Sequence, residues 1–134
     1  MRTIDKIILH CSATKEGYHF TTTDIDLWHK ARGFAKIGYH FIIYLDGSIH
    51  TGRKIEEIGA HTQGHNSRSI GICYIGGLDK NGAPKDTRTE AQKAAIRSLV
   101  EDMKKKYPKA TIHGHNELAA KACPCFNVKK EFRS

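Results

Sequence analysis

Apolar residues recur along this chain in two periods, and the switches between them mark out its elements. From Lys6 to Cys11 the run Ile7-Ile8-Leu9 is continuous and β-favouring. Such a run predicts a strand covered on both faces, with His10 near its C-terminal end. Thr21-Thr22-Thr23 offers N-caps for a helix through about Arg32, with Ile25, Trp28 and Ala31 at helical spacing and Gly33 as the stop. This helix is expected to cover the sheet. β-Branched and aromatic residues from Ile37 to Tyr44 predict another strand, in which Tyr39 and His40 point to opposite faces. Asp46-Gly47 ahead of Ser48-Ile49-His50 is a hairpin signal. Ser69 to Ile75 reads as a further apolar strand, closed by Gly76-Gly77 and followed by a polar loop to about Asp86. Thr89-Glu90-Ala91-Gln92 is a capping-box pattern that opens the longest helix. Its Ile96, Leu99, Val100, Met103 and Tyr107 trace one face until Pro108. Ala110 to His113 predicts a last short strand, leading into a loop that carries His115 and Cys123.

At 134 residues the chain is expected to form one domain, residues 1–134, able to bury a core without disulfide staples. It contains no apolar stretch near the roughly 20 residues of a membrane helix, and its N-terminus lacks the basic head, apolar middle and small-residue end of a signal peptide. Synthesis in the cytoplasm, without stable membrane association, is the expectation. In that compartment the four cysteines, Cys11, Cys73, Cys123 and Cys125, read as thiols or metal ligands rather than bridges. The net charge of +8 favours polyanionic neighbours: nucleic acid, anionic lipid or envelope polymers. The basic residues are spread through Lys104-Lys105-Lys106, Lys129-Lys130 and single positions, without the interleaved aromatics of a single-strand platform. They describe a solvated surface, and no specific nucleic-acid partner is expected.

Against this background His10, His115 and Cys123 stand out as a plausible zinc set. Three protein ligands leave one position of a tetrahedral ion open, which separates catalytic zinc sites from structural ones. The spacing His115-x7-Cys123 matches none of the short structural-zinc patterns. Two neighbours compete as ligands. His113 points the same way as His115 if its strand continues that far, and Cys125 lies just beyond Pro124. Cys11, directly after His10 on a strand, should face away from a metal and pack as a small hydrophobe.

The motifs His10-Cys11-Ser12-Ala13-Thr14, Gly38-Tyr39-His40-Phe41, Gly59-Ala60-His61 and Lys121-Ala122-Cys123-Pro124 occur in this order. Trp28-His29-Lys30, Asp46-Gly47, Ser69-Ile70-Gly71, Gly76-Gly77 and Thr89-x2-Gln92 accompany them. Together they resemble the type-2 N-acetylmuramoyl-L-alanine amidases, the family of the amidase-type phage lysozymes and the peptidoglycan recognition proteins. The resemblance covers nearly the whole chain and implies an α/β domain with a central mixed sheet of about five strands flanked by helices. It implies one zinc ion on His10, His115 and Cys123, with Tyr39 and Lys121 as assisting catalytic residues. Lys-Ala-Cys-Pro favours Cys123 over Cys125, where small residues such as serine are usual. The implied reaction is hydrolysis of the amide between the lactyl group of N-acetylmuramic acid and L-alanine in peptidoglycan. Zinc suits it, because the ion polarises a carbonyl and lowers the pKa of water towards 7. His61 is expected to line the substrate cleft or to hydrogen bond a ligand, and Asn66 to contact substrate. A phage or prophage endolysin follows from this reading: monomeric, and acting on the cell wall after holin-type release. The alternatives are a non-catalytic peptidoglycan-binding module on the same fold and a basic nucleic-acid-binding protein with a structural zinc.

Overall fold

The continuous apolar run near the start forms β1 (Lys6–Cys11), and its neighbours explain why it has no polar face. It pairs in parallel with β5 (Ser69–Tyr74) on one side and β7 (Thr111–Gly114) on the other. The structure is a computed structural model and describes residues 2–133. β3 (Phe41–Ile43) adds in parallel beyond β5, and β4 (Ile49–Thr51) pairs antiparallel with β3, giving the order β4-β3-β5-β1-β7. The mixed five-stranded sheet implied by the motifs is thus present. A second, two-stranded piece, β2 (Thr14–Lys15) with β6 (Gly77–Leu78), has no counterpart in the sequence-based reading.

Alternation along β1 divides the molecule. Ile7, Leu9 and Cys11 share one apolar cluster with Ile70, Ile72 and Tyr74 of β5 and with α2 (Glu90–Lys106). That helix buries Ile96, Leu99, Val100 and Met103 as its periodicity predicts, while Tyr107 is half-buried at its C-cap. The Thr89–Gln92 capping box forms, and the buried Gln92 amide also donates to the carbonyls of Ile75 (3.0 Å) and Ile43 (3.3 Å), tying the helix start to the sheet. Ile8 and His10 lie on the opposite face of β1, the side of α1 (Thr22–Ala31).

Three expectations need correction. α1 is capped by Thr21 and stopped at Gly33 (φ +94°) as anticipated, but its buried residues are Ile25 and His29. Trp28 is 38% exposed, edge-on to Phe20, and Ala31 is exposed. A ten-residue polar helix needs only a narrow stripe against the sheet, and Ile25 with His29, one turn apart, supplies it. The strand predicted over Ile37 to Tyr44 shrinks to Phe41–Ile43. Ahead of it the chain makes isolated bonds: His40 N–H to the Gly71 carbonyl (2.9 Å), and Gly52 N–H to the His40 carbonyl (3.0 Å). Gly38 permits this path, since a Cβ there would lie 2.1 Å from the Ala60 carbonyl oxygen. Finally, α3 (Val128–Phe132) was not anticipated; it plants Val128 in the α2-side core. Arg88, almost wholly buried, holds it through Glu131 and Asp86, with its guanidinium 3.4 Å from the Phe126 ring centre.

Candidate metal centre and cleft

Neighbouring parallel strands end side by side, and two of the candidate ligands are placed by that fact. Leu9 of β1 is in register with Gly114 of β7, so the next residues, His10 and His115, emerge together at the C-terminal edge. Such edges are where open α/β sheets bind ligands. β7 stops at Gly114 and a single 3-10 turn, His115–Glu117, turns the chain across the strand ends. The following loop returns Cys123 to the same point. There the Cys11 backbone N–H donates to Cys123 Sγ at 3.1 Å.

His10, His115 and Cys123 present ligand atoms that all lie within 4.8 Å of one another. His10 is buried, the other two are half-buried, and the His10 and His115 ring centres are 4.6 Å apart. Cys123 Sγ is 3.8 Å from His10 Nδ1. Two ligands on one tetrahedral zinc, at about 2.1 and 2.3 Å from it, stand about 3.6 Å apart, so this spacing fits without rebuilding. Two imidazoles with one thiol are also a donor set that suits zinc. The cluster can hold a metal ion. Its open side faces a cleft of about 690 Å³ lined by Tyr39, His61, Asn66, His115, Lys121 and Cys123, with His29, Thr62 and Arg32 among the other walls.

The competing ligands are elsewhere. His113 hydrogen bonds with Thr111 (2.6 Å) and Arg133 (2.9 Å) and lies 3.5 Å from Glu117, outside the cluster. Cys125 has its Sγ 3.9 Å from that of Cys11, and Cys11 packs in the α2-side core as expected.

His61 supports the cluster directly. Its Nδ1 is 2.9 Å from His10 Nε2, and Thr62 Oγ1 lies 3.3 Å from the same nitrogen. When Nδ1 of His10 is given to a metal, Nε2 carries the proton and donates it to this pair. Ser69 Oγ, 3.3 Å away, then accepts from His61 Nε2. Asn66, expected to contact substrate, has its side-chain oxygen engaged within the chain. It lines the cleft, but its Oδ1 accepts from the backbone N–H groups of His61 and Thr62, each at 2.9 Å, and so shapes the loop that presents His61. His29 and Thr62 were assigned no role from sequence. His29 Nδ1 accepts from Gly38 N–H (2.9 Å) and its ring lies 5.3 Å from that of Tyr39, bracing the chain on which Tyr39 sits. The only sequence signals were the Trp28-His29-Lys30 motif and the adjacency of Thr62 to His61.

Burial sets the protonation states. His10 is held well below its ordinary value by desolvation, with His61 and His115 adding repulsion. Desolvation also depresses His61, to about 3, and His115, whose second cause is the Lys121 charge. All three are therefore neutral at pH 7, with lone pairs free for coordination and hydrogen bonding. Desolvation, reinforced by Cys73, Cys123 and Cys11, pushes the Tyr39 phenol well above its ordinary value, so it keeps its proton. Its ring stands 5.1 Å from that of His10. Lys121 is exposed on the loop and adds positive charge to the cleft rim.

A family model described as N-acetylmuramoyl-L-alanine amidase matches residues 1–126. The endolysin of Klebsiella phage KP32 is 42% identical over 125 residues, 93% of this chain and 83% of that protein. The endolysin of Escherichia phage T7 is 42% identical over 126 residues, 94% of this chain and 83% of that protein. Among solved structures, the N-acetylmuramoyl-L-alanine amidase LysC from Clostridium intestinale is similar with a TM-score of 0.82 and 29% identity, covering 97% of this chain and 82% of that one. Drosophila PGRP-LB gives 0.81 and 27%, covering 100% and 82%.

Proposed function

This chain belongs to the N-acetylmuramoyl-L-alanine amidase family, and from that premise we propose that its cleft hydrolyses the amide joining the lactyl group of N-acetylmuramic acid to L-alanine in peptidoglycan. The observation that carries the assignment to particular residues is the convergence of His10, His115 and Cys123 on one point of a cleft that Tyr39 and Lys121 also line. We assign those three as the ligands of one zinc ion.

The ion supplies Lewis acidity, which a neutral amide and a neutral water both need. The chain's own groups do the rest. His61 accepts the His10 Nε2 proton and so fixes the lone pair of Nδ1 towards the cleft. Tyr39, kept as a phenol by burial, donates a hydrogen bond to the carbonyl oxygen as that oxygen gains negative charge. Lys121 places a cation on the same side. Both interactions strengthen as charge develops and so lower the barrier rather than tighten substrate binding. Hydrolysis leaves a lactyl carboxylate on the sugar and a free L-alanine amino group.

The enzyme is a cell-wall-degrading endolysin on this reading, one amidase domain over residues 1–134, acting as a monomer after the membrane has been opened by a holin-type partner. Among the described residues no helix is long and apolar enough to cross a membrane. Retention of Cys123, Tyr39 and Lys121 speaks against the binding-only alternative. Digestion of purified peptidoglycan tests the assignment. New L-alanine amino termini should appear without new reducing sugar ends, vanish on chelation, and return with zinc. New reducing ends in place of amino termini would overturn it.

A further inference from the structure

Two thiols with no part in the metal cluster meet behind it. Cys11 follows ligand His10 and faces the other side of β1, and Cys125 follows ligand Cys123 by two residues; their sulfurs are 3.9 Å apart. We propose that Cys11 and Cys125 form a redox-active dithiol that closes to a disulfide, stapling β1 to the loop that carries Cys123, and leaves the metal ligands free.

Three features support this. Closing the bond requires the sulfurs to approach from 3.9 Å to about 2.05 Å, a displacement small enough for side-chain rotation to supply most of it. Gly77 (φ +103°) keeps the space open, because a Cβ there would fall 2.4 Å from Cys11 Sγ and 3.7 Å from Cys125 Sγ. Cys125 itself sits at φ +67°, a left-handed conformation unfavourable for a residue with a side chain, and it points its sulfur at Cys11. Access to Cys125 is separate from the metal, while Cys11 lines the metal cleft itself. Cys125 lines a second cavity of about 520 Å³, with Ala122, Phe126 and Asn127, that shares no lining residue with the metal cleft.

The oxidant is a small disulfide such as oxidised glutathione. Cys125, having given its proton to solvent, attacks one sulfur and expels one glutathione thiolate. Cys11, likewise deprotonated, then attacks Cys125 Sγ, forms the internal bond and expels the second. The chain loses two protons and two electrons, and the glutathione disulfide becomes two glutathione thiols. Cys11 is buried and Cys125 half-buried, so spontaneous exchange is slow and equilibrium, not rate, is the quantity to measure. On the reading that the chain acts at the cell wall, it meets the oxidising side of the membrane only after release, and the bond closes there.

The full-length, zinc-loaded protein is equilibrated without oxygen against a series of reduced and oxidised glutathione mixtures, acid-quenched, alkylated and mapped by mass spectrometry. The expected product has lost two hydrogen atoms, carries a Cys11–Cys125 cross-link, retains its zinc and melts at least about 5 °C higher than the reduced form. Cys125→Ser and Cys11→Ser should each abolish the cross-link. A Cys11–Cys123 link, a stable glutathione adduct on wild-type Cys125, or unchanged thiols in the most oxidising mixture would each overturn the proposal. None of these readouts uses amidase activity, so a failure here is separable from a failure of the functional assignment.

Discussion

Replacing His61 by alanine removes the acceptor for His10 Nε2–H without touching any metal ligand, and the size of the effect follows from what remains. The bond to be lost is 2.9 Å long and belongs to a histidine that is 1% exposed, so water has little access to replace it. Leaving a buried donor unsatisfied costs about 1–3 kcal/mol, or roughly 10- to 100-fold in metal affinity. Thr62 Oγ1, 3.3 Å from the same nitrogen, can take the proton in part, which places the single variant near the lower bound, about 10-fold. Thr62→Val alone should change little while His61 is present. The double variant should reach about 100-fold, more than the two singles combined, because each residue covers for the other. The assay is competition between apoprotein and a chelator of known zinc affinity, with thermal melting of each apoprotein as the folding control. Equal zinc affinity in wild type and the double variant, with both folded, would refute the support assigned to His61.

Two other perturbations bear on the fold. His40 and His61 are depressed by desolvation to about 4 and about 3, so between those values and about 6.5 the unfolded chain binds more protons than the folded one. Stability is therefore fully present above about pH 6.5 and falls as pH drops through that window; denaturant titration of the apoprotein should lose on the order of 2 kcal/mol between pH 7 and 5.5, and a flat profile would contradict the assigned burial. Arg88→Ala leaves Glu131 and Asp86 without their partner and uncovers Phe126, so it should destabilise by about 3 kcal/mol in the same titration, whereas a neutral result would mean that the apolar contacts of Val128 and Phe132 suffice to hold α3.

Much of the scaffold could be read from local chemistry because local chemistry decides it. The Thr21 and Thr89 caps, the Gly33 stop and the α2 stripe are properties of a few adjacent residues. Strand extent is different. The β-rich Ile37 to Tyr44 segment shrinks because pairing depends on Gly52, Ala60 and Gly71, brought alongside by the fold. The same limit applied to α1, where spacing could not tell Trp28 from His29 as the buried residue. Sequence order and motif context pointed to His10, His115 and Cys123, yet could not dismiss His113 or Cys125. Their exclusion depends on where β7 stops and which side of β1 each sulfur faces.

His10 and Cys123 are 113 positions apart, and the first stands on a strand held by two parallel ladders whose partners are themselves distant in sequence. A centre built this way cannot exist in a fragment or a partly ordered chain. Contacts of such long range form late and slowly during folding, so metal capture should be among the last events. Zinc occupancy in a preparation is thus a count of molecules whose opposite ends have already found each other, and a bound chromophoric ion would serve as a built-in clock for the final stage of refolding.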